Sequence, residues 1–147
     1  MSIHCHAKAG FTLLEMLISL AIIASLSALS FPFISSFQKR NDLEVATNTA
    51  VQTIRRAQSL SMASEGDSTW GLSVISGDIV LYKGANYAAR DTTYDEKYSI
   101  STGIAATGVT DVSFAKLTGV PSATGTLTLT GGDTKVITIN GKGVVNY

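Results

Sequence analysis

Between Met16 and Gln38 this chain carries no charged side chain, and its apolar character already begins at Phe11. At about 1.5 Å of rise per residue, a helix over that run reaches across a bilayer core of roughly 30 Å. The segment therefore has to be covered, by lipid or by other protein. One carboxylate interrupts it. An ionised side chain such as Glu15 in apolar surroundings costs several kcal/mol unless it finds a partner, which marks it as functional. The preceding residues offer that partner. Gly10-Phe11-Thr12-Leu13-Leu14-Glu15 reads as a cut site followed by the start of a helix. Cleavage after Gly10 would expose an ammonium at Phe11, and a spacing of four puts it on the same helix face as Glu15. Opposite charges attract strongly in a medium of low dielectric, within one chain or between two.

Two plainer readings compete. In a secretory signal, Lys8 would supply the charged region, Leu13 to Ile23 the apolar stretch and Ala28-Leu29-Ser30 the cleavage site. Glu15 would then sit where the signal most needs to be apolar, and the run continues through Phe31, Phe33, Ile34 and Phe37. An uncleaved single-pass anchor explains the length but neither Glu15 nor the sequence around Gly10.

Composition removes most catalytic readings. The single cysteine, Cys5, and both histidines, His4 and His6, precede the cut. A chain starting at Phe11 has no thiol and no imidazole, hence no disulfide, no Cys/His zinc site and no His-based catalytic pair. Eleven basic and eleven acidic side chains cancel, so nothing global favours nucleic acid or an anionic surface. No enzyme activity and no cofactor are expected.

The Gly10–Glu15 segment resembles the prepilin-peptidase site of the type IV pilin and pseudopilin superfamily. The likeness extends through the apolar run to Pro32, where major pilins often carry proline. The resemblance implies that a membrane peptidase cuts between Gly10 and Phe11 and methylates the new amine. It implies that Glu15 pairs with that amine on a neighbouring subunit during filament assembly. It also implies a leader at 1–10, a membrane and filament-core helix at 11–38, and a soluble pilin-like domain at 39–147.

Along the chain, residues 11–37 read as a helix. Ala21 with Ser25 and Ala24 with Ala28 are small pairs that let helix backbones approach, although such pairs are also ordinary in membrane helices. Pro32 removes a backbone donor and should kink or open the helix. Lys39 and Arg40 follow the run whereas only Lys8 precedes it, so the positive-inside rule favours the orientation opposite to the one the cut site implies. The cut site, which needs a cytoplasmic leader, is given precedence. Over 39–64, Leu43, Ala46, Ala50, Ile54, Ala57 and Leu60 form one apolar stripe, leaving Gln52, Arg55, Arg56 and Gln58 mostly to solvent.

From about residue 69 the pattern turns to strands. Trp70–Ile75 and Ile79–Tyr82 flank Ser76-Gly77-Asp78, a hairpin signal. Residues 84–97 read as polar and irregular. Tyr98–Ile100, Val112–Phe114, Thr126–Thr130 and Lys135–Ile139 are strand candidates, and Asn140-Gly141 is the strongest short hairpin signal. The expected fold is α+β: a long N-terminal helix, transmembrane in front and amphipathic behind, packed on a C-terminal antiparallel sheet. That layout is similar to the GspH/FimT group of minor pilins and pseudopilins. Arg55–Ala63, Trp70-Gly71-Leu72 and Asn140-Gly141-Lys142-Gly143 resemble that group's helix end, first strand and glycine-basic turn.

Three weaker candidates remain. Asp91, Asp95 and Glu96 are hard oxygen ligands, and some pseudopilins bind calcium, but their spacing matches no loop signature and a solvated acidic loop is expected. Some FimT-type pilins bind DNA through an arginine-bearing turn. Only Lys142 stands there, with Lys135 upstream, and phosphate binding needs several clustered cations. The expected role is a structural subunit of a type II secretion pseudopilus or type IV pilus. Its partners would be other pilins or pseudopilins, the prepilin peptidase and an inner-membrane assembly platform, and it would move from the inner membrane into the filament. The alternatives are a surface pilin for DNA uptake or adhesion, and a major pilin.

Overall fold

The computed structural model describes residues 10–147, with the side chains of 28–34 outside the described residues. The segment expected to be a leader, apart from Gly10, therefore also lies outside them. The protein is α+β. Helix α1 covers Leu13–Met62, and eight strands follow in antiparallel pairs. The chain divides into two units between Ser36 and Phe37.

In the second unit the rear part of α1 behaves as its stripe predicts. Leu43, Ala46, Ala50, Ile54 and Ala57 are buried, Leu60 is partly buried, and Val51 joins them. Thr47 and Thr53, also buried on α1, donate their hydroxyls to the carbonyls of Leu43 and Thr49, so neither hydroxyl is stranded in the core.

The strands are β1 (Trp70–Ile75), β2 (Asp78–Lys83), β3 (Asp91–Ser99), β4 (Ala105–Gly108), β5 (Asp111–Phe114), β6 (Gly125–Thr130), β7 (Thr134–Ile139) and β8 (Val145–Asn146). They form two four-stranded sheets rather than one, in the orders β3-β2-β1-β5 and β4-β6-β7-β8. Alternation sets the inward face of each. Trp70, Leu72, Val74, Ile79, Leu81, Val112 and Phe114 come from the first sheet, and Leu127, Leu129, Ile137, Ile139 and Val145 from the second. All join the helix stripe in one buried cluster.

The split lies between β4 and β5. Gly108 adopts φ +85°, and a Cβ there would overlap the Thr126 carbonyl oxygen. Val109 N donates to that same carbonyl, and Val74 N donates to Thr110 O. Within three residues the backbone thus leaves β6 of one sheet and joins β1 of the other, a turn that needs glycine's freedom.

Three local expectations are corrected. Residues 84–97 are not all irregular, because Asp91–Ser99 is an edge strand paired only with β2. Its charges hid it: Asp91, Asp95, Glu96 and Lys97 read as loop, yet charged side chains are how exposed edges resist further pairing. Strand β4, four small residues, gave no apolar alternation to read. The Asn140-Gly141 turn is longer than a two-residue hairpin. Ile139 pairs with Val145, the left-handed residue is Gly143 (φ +74°), and Asn140 Oδ1 accepts from the N–H groups of Lys142 and Val144. The Ser76-Gly77 hairpin forms as expected, pairing Ile75 with Asp78.

The outer face of the first sheet has its own small core. Tyr82, fully buried, lies over Gly71, where a Cβ would stand 2.5 Å from the Tyr82 ring. Its hydroxyl donates to Asp111 at 2.6 Å, and Tyr87 N donates to the same carboxylate at 3.2 Å. The 84–90 loop is held there by Arg90, which stacks 3.7 Å from the Tyr87 ring centroid and donates to Asp95 at 2.9 Å and to Tyr87 O at 2.7 Å. Burial, and then the Asp111 carboxylate, push the Tyr82 phenol well above its ordinary value. A raised folded-state value leaves stability intact below about pH 10 and removes it as unfolded tyrosine ionises above that pH. Alkaline denaturation followed by circular dichroism should therefore steepen above about pH 10. Tyr82→Phe should flatten that part of the profile, and an unchanged profile would disprove the assignment.

Candidate processing and assembly site

Gly10 is exposed, and a Cβ built on it would meet nothing within 4 Å. Phe11 is 77% exposed, so among the described residues nothing packs over it. Thr12 is the N-cap of α1: its Oγ1 accepts from the Glu15 N–H at 3.2 Å. Thr12 and Glu15 thus hold the positions of a capping box, with the carboxylate in the first turn, where the helix dipole favours negative charge. The cap was legible as Thr-x-x-Glu, although the charge argument about Glu15 gives no hint of it.

Beyond Glu15 the front of α1 presents apolar side chains in every direction. Leu13, Leu14, Met16, Leu17, Ile18 and Leu20 are all more than half exposed. The hydroxyls among them are turned inward. Ser19 donates to Glu15 O, Ser25 to Ile22 O and Ser27 to Ile23 O, each within 2.8 Å. Serines that bond their own helix leave a surface suited to a medium without water. Ala21 and Ser25 both lie on this stretch, whereas Ala28 and Pro32 have side chains outside the described residues. Helix α1 runs through position 32. Among the described residues no helix is long and apolar enough to cross a membrane. The apolar run includes residues 28–34, so the reading of a span rests on the sequence.

The weaker candidates are placed as follows. Asp95 is held by Arg90, Glu96 receives both terminal nitrogens of Arg56 at 2.6 and 2.7 Å, and Asp91 accepts from Thr93 N. That backbone bond holds the Asp91 carboxyl below its ordinary value. Among the described residues no group of three or more metal-ligating side chains gathers. Lys135 pairs with Glu44 at 2.9 Å, which raises its ammonium above the ordinary value, and Lys142 is exposed on the β7–β8 turn. Among the described residues the two lysines share no partner.

The helix end and the glycine-basic turn do meet, through Gln58. Its amide donates to Gly119 O at 3.1 Å and to Lys142 O at 2.9 Å. A Cβ at Gly143 would collide with that amide, so glycine is required there. Gln58 was expected to be mostly in solvent, and it is instead half-buried as a clasp.

Residues 5–31 match the family model described as the prokaryotic N-terminal methylation motif. The match is type IV pilin-like and points to a prepilin-peptidase substrate with a structural role. It does not reach the β-sheet unit. Neither the curated proteins nor the solved structures include a match to this chain.

Proposed function

We propose that this chain is a minor pilin or pseudopilin of the GspH/FimT type, cut between Gly10 and Phe11, methylated on the Phe11 amine and assembled through its front helix. The observation that carries the reading is the front of α1, whose described apolar side chains are exposed on all sides and whose capped first turn holds the one carboxylate before Asp42. Before assembly, lipid covers that surface and the segment acts as an inner-membrane anchor with the β-sheet unit outside the cytoplasm. In the filament, the same segments of neighbouring subunits cover one another. Glu15 then sets the stagger: unpaired it opposes burial, and opposite a Phe11 ammonium it favours one offset. The α+β layout and the helix-end, first-strand and glycine-turn segments support the subgroup.

Mass spectrometry of the protein purified from cell membranes tests the first step. The expected N-terminal peptide starts at Phe11 and carries one methyl group on its amine. A chain that still begins at Met1, or one starting beyond Ser30, would overturn the proposal.

A further inference from the structure

We infer that the end of the second unit around Gln58 is a docking surface for an acidic, apolar patch on a different protein subunit. Three segments converge there: helix residues 55–62, the β5–β6 loop 115–122 and the β7–β8 turn 140–144. Gln58 ties the second and third together, Leu117 N donates to Ser61 O, and Gly119 packs against Met62. Met62, Leu117, Val120 and Val144 stand about half exposed or more on it.

Leu117 is the sharpest signal. Its backbone lies in the left-handed region at φ +67°, a conformation that disfavours a bulky side chain, and that side chain is 69% exposed. The turn uses that conformation to bring Leu117 N onto Ser61 O, but the fold needs no apolar side chain there, and an exposed one at a strained position fits a contact site.

Charge then chooses the occupant. The three segments contain Arg55, Arg56, Lys116 and Lys142 and no aspartate or glutamate. Glu96 neutralises Arg56, and Asp67 neutralises Lys116. Arg55 and Lys142 form no ion pair among the described residues. Two unpaired cations around an apolar centre fit apolar side chains flanked by carboxylates. A second copy of this chain fits poorly. Beside Phe37 and Val45 on the soluble helix, Lys39 and Arg40 balance Asp42 and Glu44, and beside Tyr94 on β3 the carboxylates of Asp95 and Glu96 are already paired with Arg90 and Arg56. The named apolar residues include no tryptophan or tyrosine, the usual anchors at a lipid interface. Two free cations are also few for a phosphate backbone.

The surface lies wholly in the second unit, so it stands or falls separately from the processing of the N-terminus. The test is photo-crosslinking in cells with the full chain, placing a photoreactive residue at Leu117 or Val144, and at Thr134 as a control. The expected result is one discrete heterologous protein adduct from the first two positions, with carboxylates beside the captured residue. Arg55→Glu combined with Lys142→Glu should reduce it at least tenfold, and reversing the partner's carboxylates should restore it. Adducts no stronger than at Thr134, adducts to lipid, nucleic acid or a second copy, or insensitivity to the charge reversal would overturn the inference. Leu117→Gly, read with the photoreactive residue at Val144, separates docking from folding: the melting temperature should rise by a few degrees while the Val144 adduct is lost. A fall in melting temperature would show that Leu117 serves the fold instead.

Discussion

Replacing Glu15 with alanine is expected to leave the protein in the membrane and cut its incorporation into filaments at least tenfold. Removing a lone carboxylate makes the front helix more apolar, so insertion should not suffer. Assembly loses the ion pair with the Phe11 ammonium. A loss of only about 1.4 kcal/mol per contact is already tenfold in an equilibrium, and a charge pair in low dielectric exceeds that. The capping geometry supplies a confounding effect, because Glu15 also sits in the first turn, where its charge is worth about 0.3–1 kcal/mol to the helix. Two further variants separate the causes. Glu15→Gln removes the charge at nearly constant shape and should behave like the alanine variant. Thr12→Val removes the cap, which accepts from Glu15 N, and keeps the carboxylate. It should cost about 1 kcal/mol of local helix stability and little assembly. Sheared filaments probed for the protein, with membrane fractions as the reference, give the answer. Equal incorporation of Glu15→Ala would remove the latch, and a larger defect in Thr12→Val would reassign the effect to the helix start.

The second large effect belongs to the fold. Gly108→Val should destabilise the β-sheet unit by roughly 3–5 kcal/mol, combining a branched side chain at positive φ with an unavoidable overlap on the Thr126 carbonyl. For a domain of this size that lowers the melting temperature by more than about 10 °C. Gly141→Ala is the matching control. That glycine has open space around it and is not among the positive-φ glycines, so little change is expected. Thermal unfolding of the two variants in parallel would decide, and equal melting temperatures would show that the crossing at Gly108 tolerates a side chain.

The sequence was most readable where one periodicity ran uninterrupted. The stripe from Leu43 to Ala57 is buried, and the alternating Thr126–Thr130 segment became β6 with Leu127 and Leu129 inside. It was least readable where charge or small size masked a strand. Strand β3 looks like a loop because its side chains answer to solvent on an open edge, and β4 has too little apolar surface to show a period. At the candidate site, Gly10, Phe11 and Glu15 stood out by residue type alone. The clasp at Gln58 did not, since its partners are backbone carbonyls 61 and 84 residues away.

By itself, the chain's order of residues determined the uncharged run, the lone carboxylate five residues after Gly10, the inward stripe of the rear helix and most strand positions. These are local consequences of hydrophobic period and charge. Tertiary structure alone decided that the strands divide into two sheets at Gly108, that Tyr82 needs the bare backbone of Gly71, and that helix end, loop and turn meet at Gln58. Each of those depends on which backbone atoms arrive within hydrogen-bonding or clashing distance, and no spacing along the chain encodes that.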